Sequence, residues 1–222
     1  MVKAAQRVAR SSVWLEGRAR RGGRGGGQPS RLDRGRITEV TVRLLDAEGL
    51  ARFSMRRLAA ELNVTAMSLY WYVDTKDDLL ELALDAAFGE LRPPGPDMDD
   101  EHWRERLRTP AGEYRALLVR HPWLSPLAGT YLNIGPNSLA FSRRMQRVIC
   151  RTGLPAHRVT GALCAVLQFV YGYGTIEGHL FAREADATAS PVAEMLDRDF
   201  TFALDLLVAG IEAVVEKDRG TP

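Results

Sequence analysis

Between positions 54 and 73 the chain reads SMRRLAAELNVTAMSLYWYV. Ser54 and Thr65 are both residue types that cap a helix N-terminus by accepting a hydrogen bond from the first turn. A helix begun at Ser54 must therefore stop before Thr65. Asn63 supplies the stop, because asparagine takes the left-handed backbone more readily than most side chains. Val64 fills the angle between the helices. The second helix, residues 66–72, is short and ends in Tyr70, Trp71 and Tyr72. Neighbouring residues on a helix point about 100° apart, so three consecutive rings cannot all face one core. With Leu69 and Val73 turned inward, Ala66, Met67, Ser68 and the three aromatics spread over the other faces. Two short helices meeting at such a turn form a helix-turn-helix, whose second helix can enter a DNA major groove.

The rest of the chain also reads as helix. From Leu32, the residues Ile37, Val40, Leu44 and Leu45 form one stripe, and Gly49 can end it. Met55, Leu58, Ala59 and Leu62 face inward in the next helix. Thr75 opens a further helix with Asp77 and Asp78 in its first turn, where the helix dipole favours negative charge. RPPGPDMDD cannot continue a helix and reads as a linker. Beyond it come an amphipathic helix over Trp103–Arg120, a helix opened by Pro136, a long apolar helix over Ala156–Phe181, and a last helix over residues 191–217. In that last helix Phe200, Ala203, Leu207, Gly210, Ile211 and Val214 fall on one stripe. No stretch combines period-two alternation with turn signals. The expected fold is all-α: a three-helix helix-turn-helix domain at 31–91, a linker at 92–101, and a larger helical ligand-binding and dimerisation domain at 102–222.

Charge is unevenly placed. Residues 1–31 carry eight Lys and Arg against Glu16 alone, whereas the whole chain has a formal net charge of +2. The remainder is therefore acidic, a pattern that points to a polyanion at one end. The RARRGGRGGGQPS run has almost nothing to bury, so residues 1–30 are expected to be a disordered Arg/Gly-rich arm, with a short helix possible at 2–15. The arm either touches phosphates or is an extension with little role. The apolar stretches around 162–170 and 202–208 are broken by Gln168 and Asp205, short of the ~18 residues a membrane helix needs. No apolar leader opens the chain, so a cytoplasmic protein is expected. Cys150 and Cys164 sit in apolar sequence without metal spacing and are expected as buried free thiols.

The segment RITEVTVRLLDAEGLARFSMRRLAAELNVTAMSLYWYVDTKDDLLELAL resembles the DNA-binding domain of the TetR family of transcriptional regulators. SLYWYV followed by TKDDLL is the most specific part. By that resemblance Met55, Arg56, Thr65, Ala66, Met67, Ser68, Tyr70, Trp71, Tyr72 and Lys76 occupy DNA-contact positions. Tyr72 stands where histidine is common in the family, and Asn63 where glycine is common. HPWLSPL, GPNSLAFSRRMQRVICRTGL and GALCAVLQFVYGYGTIE resemble the tetracycline-repressor type of C-terminal domain, which binds a small molecule and dimerises. Tyr131 stands where the tetracycline repressor has the histidine that holds its ligand's metal ion, which argues against a magnesium–tetracycline chelate here.

Helical ligand pockets are mostly apolar with a few placed polar groups. On the long helix Cys164, Gln168 and Tyr171 share a face, and Trp123, Tyr131, Asn133 and Met145 come from segments that can wall the same cavity. Gln168 and Tyr171 fit a dimer contact equally well. Gly172, Gly174 and Gly178 read as close helix packing rather than a phosphate loop, since no strand-turn-helix surrounds them. No Gly-rich phosphate loop, two-histidine zinc spacing or nucleophile elbow is present in the sequence. No catalytic residue, metal or cofactor is assigned. The expected function is a homodimeric repressor released from palindromic operator DNA by a small-molecule effector, with no membrane partner. The alternative is a sequence-tolerant architectural DNA-binding protein led by the basic arm.

Overall fold

The computed structural model describes residues 12–15, 32–91, 102–181 and 191–219, and among them no strand occurs. The chain divides into two compact units. The first joins Met1–Glu90 with Trp123–Leu139, and the second joins Leu91–Pro122 with Ala140–Pro222. Trp123–Leu139, expected with the second domain, thus packs with the first. The 92–101 linker lies outside the described residues, as does most of the arm.

In the first unit, α1 (Arg34–Glu48) is capped by Asp33, whose side chain accepts from Arg36 N, and it stops at Gly49 with φ 76°. Ile37, Val40, Leu44 and Leu45 are buried, as the stripe predicts. α2 (Met55–Glu61) starts at its Ser54 cap. Asn63 has φ 53°, the left-handed turn expected of it. α3 covers only Ala66–Leu69 under its Thr65 cap. The expected helix to Tyr72 closes earlier because Tyr70 N bonds Met67 O and Tyr72 N bonds Leu69 O, the tighter three-residue ring of a 3₁₀ turn. α4 (Lys76–Phe88) is capped by Thr75 and buried over most of its surface.

That burial takes in Asp78, Glu81 and Asp85, which no apolar periodicity could flag. Ser12 Oγ donates to Glu81 Oε2 at 2.8 Å, and Val13 beside it is buried. Residues 12–15 form a turn there rather than the end of a helix, closed by Leu15 N on Ser12 O. Asp85 Oδ1 accepts from Ser138 N at 2.9 Å and Ser138 Oγ at 3.0 Å, capping the start of the helix that Pro136 opens. A Cβ on Gly135 would fall 2.3 Å from the Asp85 carboxylate, so only glycine fits at this approach. The same segment includes the short α6 (Leu124–Ala128).

The second unit is built from α5 (Trp103–Arg120), α7 (Pro136–Cys150, from Ala140 onward), α8 (Ala156–Phe181) and α9 (Pro191–Arg219). Gly174 and Gly178 let α8 lie against α5. A Cβ at either would come within 2.9 Å of Leu118 atoms, whereas Gly172 faces open space. Arg104 pairs with Glu212, and Arg108 with Asp205 at 2.8 Å, tying α5 to α9. Inside, the Arg115 guanidinium grips Glu177 through Nε at 2.6 Å and Nη2 at 2.8 Å, and donates to Asp197 through Nη1 at 2.7 Å. It lies 4.5 Å from the Phe200 ring centre, and Phe200 stacks on Phe169. Burial alone would lower the Arg115 pKa. The hydrogen bonds and charges of Glu177 and Asp197 reverse that and hold it above its ordinary value.

The buried stripe of α9 is Phe200, Leu204, Val208, Ile211 and Val215, which shares only Phe200 and Ile211 with the one read from sequence. Ala203, Leu207 and Val214 are only half-buried. α9 carries apolar residues on two faces, and periodicity alone cannot say which one its own subunit covers. Phe202 is 66% exposed and Leu206 58%. Cys150 and Cys164 are both exposed, against the expectation of buried thiols, because each falls on a helix face that its own unit leaves uncovered. α8 is also long and apolar enough, by length and composition, to cross a membrane, although only 22% of that window is buried. Gln168 thus interrupts the apolar run without lowering the mean hydropathy of the helix below that of a spanning one. Glu177, paired with Arg115, and the glycine packing on α5 are features of a helix within a bundle.

Candidate nucleic-acid interface and effector domain

Leu69 and Val73 are buried in the first unit, as their spacing requires. The residues between them turn outward: Tyr70 is 45% exposed and Trp71 69%, with Met67 also exposed. Tyr72, Ala66 and Ser68 are half-buried. The Thr65 and Ser68 hydroxyls lie 2.8 Å apart beside the cap, so two polar groups sit at the helix N-terminus, where backbone N–H groups and the dipole favour phosphate. Arg56 is exposed on α2. Met55 differs from the other expected contact residues. It is 8% exposed and fills the core beneath α2.

Other cations are spent on holding this head in place. Arg57 bonds Glu48 at 2.7 Å and Glu61 at 3.0 Å, linking α1 to α2. The Glu48 hydrogen bond is the main reason its pKa stands above the ordinary value. Lys76 Nζ donates to Phe53 O at 2.9 Å, just before the Ser54 cap. An ammonium has three N–H groups, so the side chain keeps donors beyond that bond.

The residues expected to line an effector pocket are divided between the two units. Trp123 and Tyr131 belong to the first unit. There Trp123 Nε1 donates to Asp46 Oδ1 at 2.6 Å and Tyr131 OH to Asp77 Oδ1 at 3.2 Å. Burial, then Asp77, pushes the Tyr131 pKa well above the tyrosine range, so its hydroxyl stays protonated. Asn133 is in the first unit too, with φ 51°. In the second unit Met145 is fully buried, Tyr171 is half-buried, and Cys164 and Gln168 are exposed. Tyr114 and Phe141, which the sequence reading missed, pack 5.1 Å apart in that interior. Burial, then the nearby Tyr171, raises the Tyr114 pKa above its ordinary value. Its signal was present, since Leu107, Ala111, Tyr114 and Leu118 share one face of α5. Arg144 Nη1 donates to Glu113 Oε2 at 2.6 Å. Among the described residues no group of three or more His, Cys, Asp or Glu is arranged to hold a metal ion.

A helix-turn-helix that turns polar and aromatic side chains outward is the arrangement by which a protein reads a DNA groove. Comparison with known proteins agrees. Residues 37–83 match the family described as bacterial regulatory proteins, tetR family, and residues 95–195 match the tetracyclin repressor-like C-terminal domain. An HTH-type transcriptional regulator of Saccharopolyspora erythraea is 39% identical over 74% of this chain and 69% of its own length. The HTH-type transcriptional repressor DrrR1 of Streptomyces coeruleorubidus is 31% identical over 96% of this chain and 88% of its own. Among solved structures, the Streptomyces coelicolor TetR family protein ActR in complex with actinorhodin superposes with a TM-score of 0.71 at 25% identity, covering 84% of this chain and 99% of that one. The chain belongs to the TetR family: it is a ligand-responsive, DNA-binding transcriptional repressor that acts as a homodimer. Its relatives are transcriptional regulators, and nothing among them favours the architectural alternative.

Proposed function

We propose that each subunit places residues 66–72 in a major groove of a palindromic operator, and that a small molecule bound in the second unit releases it. The outward display of Tyr70 and Trp71 beside the Thr65–Ser68 cap carries this reading. A two-fold dimer then calls for half-sites related by the same symmetry. Tyr, Ser and Thr hydroxyls can bond phosphates or bases, and Ala66 and Met67 can touch thymine methyls. Arg56 and Lys76 are assigned to backbone phosphates or a guanine. Met55 supports from below. No enzymatic activity and a cytoplasmic location complete the proposal.

Tyr114, Phe141, Met145 and Tyr171 are the proposed lining of the effector site. Cys164 and Gln168 are assigned instead to a row on α8 that runs at four-residue spacing through the half-buried Gly172 to the exposed Ile176 and Leu180. That row and the exposed face of α9 form the proposed dimer contact, where Gly172 admits a partner helix closely. The effector must bind the released and operator-bound states unequally, since equal affinity shifts nothing.

Tyr70→Ala is expected to weaken operator binding about ten-fold, a loss of one good contact per subunit. Because the ring is half-exposed, the thermal midpoint should move by no more than ~2 °C. A large stability loss with intact operator affinity would assign the ring to the core.

Between positions 32 and 73 six arginines face five acids, so this region has little surplus positive charge. We infer that the arm supplies much of the attraction to DNA. Ser12 and Val13 pack against α4, so neutralising Arg18, Arg20, Arg21 and Arg24 to Gln tests this more cleanly than deletion. Binding to every sequence should weaken, and the slope of log affinity against log salt should fall by up to ~7 for two arms. An unchanged slope rules the arm out. The operator itself is found by selecting genomic fragments at two salt concentrations. A palindrome that survives the higher salt supports the repressor reading, and sequence-blind binding that fades with salt opposes it.

A further inference from the structure

Arg34 opens α1, far from α3 in sequence, yet its guanidinium reaches the end of the reading segment. Nε and Nη2 donate to the Tyr72 carbonyl at 3.0 and 2.7 Å. α3 holds four residues, far below the length at which a helix is stable by itself. Its direction must come from anchors around it. Leu69 and Val73 fix its underside, the Thr65 cap fixes its start, and the Tyr72 carbonyl lies just past its end. A carbonyl that takes both arms of a planar guanidinium fork is held in angle as well as distance. Tyr70, Trp71 and Tyr72 lie between Leu69 and Val73, so the angle of that carbonyl sets where their rings point.

We propose that Arg34 is a specificity-determining positioning residue for operator recognition: it orients residues 70–72 through the Tyr72 carbonyl instead of neutralising a phosphate. The proposal rests on the reading that residues 66–72 meet the operator. It adds a residue of α1 to the machinery of base selection, outside the helix-turn-helix itself.

The test uses full-length Arg34→Gln and Arg34→Lys proteins with three duplexes: the selected operator, the operator with one substituted half-site base, and an unrelated sequence. Binding is measured across a series of salt concentrations. Positioning predicts that Arg34→Gln loses roughly ten-fold in operator affinity while binding the unrelated duplex within about two-fold of the native chain. The salt slope should stay as it was. Arg34→Lys keeps the charge but not the fork, and should also lose discrimination. The proposal is overturned if Arg34→Gln weakens all three duplexes equally with a slope lower by ~2 for the dimer, because that is the mark of a phosphate contact. It is equally overturned if the thermal midpoint falls while the operator-to-unrelated ratio holds, because then Arg34 only stabilises α1. Should Arg34→Gln fail to fold, the Lys variant alone decides by the same ratio. A native chain with no operator preference would instead sink the operator reading itself.

Discussion

Glu177→Ala is expected to destabilise the second unit by about 3–5 kcal/mol, the cost of leaving a buried charge without its partner. The Arg115 and Glu177 side chains are only 10% and 6% exposed, so water cannot replace the lost carboxylate. Asp197 remains as a partner, but at 72% exposure it is screened and offsets only part of the cost. For a protein of this size that loss lowers the thermal midpoint by about 6–20 °C. Replacing both members, with Arg115→Met and Glu177→Leu together, should recover most of it, because apolar side chains of similar volume fill the space without desolvating a charge. Thermal unfolding of the single and double variants measures the difference. A single variant within about 1 kcal/mol of the native chain would mean that Asp197 alone satisfies Arg115.

The second large effect concerns assembly. Phe202 and Leu206 lie one turn apart on the exposed face of α9. Phe202→Glu with Leu206→Glu would place two carboxylates per subunit where the partner's apolar side chains must meet them. Burying unpaired carboxylates costs several kcal/mol each, so the dimer should dissociate at micromolar concentration. Sedimentation should then report a 24.6 kDa species. Helical content should hold, since neither side chain is in the subunit core. Operator affinity should fall by about a hundred-fold or more, because two linked reading heads act at high effective concentration and two separate ones do not. Intact dimer mass and intact operator affinity together would put the interface on another face.

What the sequence revealed, and what it hid, follows the range of the interactions concerned. The helix-turn-helix was legible because its parts are local: a cap at Ser54, a left-handed turn at Asn63 and a cap at Thr65, each acting over three or four residues. Of the three glycines expected at close helix packing, Gly174 and Gly178 lie against Leu118 and Gly172 meets nothing within 4 Å. The buried carboxylates of α4 were invisible. Asp85 is inside because Ser138, 53 residues away, gives it two hydrogen bonds, and no local pattern encodes that. The same reason places Trp123 beside Asp46, 77 residues away. On α9 the sequence showed apolar periodicity but two faces satisfied it. Choosing between them requires knowing what covers the second face, which we propose is another copy of the chain.

With the proposed dimer contact on α9, the regulator is sensitive to its own copy number. A subunit alone leaves Phe202, Leu206, Met195 and Val192 in water, so under the proposed contact its stability and its occupancy of DNA both depend on meeting another copy. When most subunits are single, the dimer population grows as the square of their number. Halving synthesis then leaves about a quarter of the operator-competent species, by mass action. Derepression would thus sharpen with dilution of the protein during growth, even with no effector present.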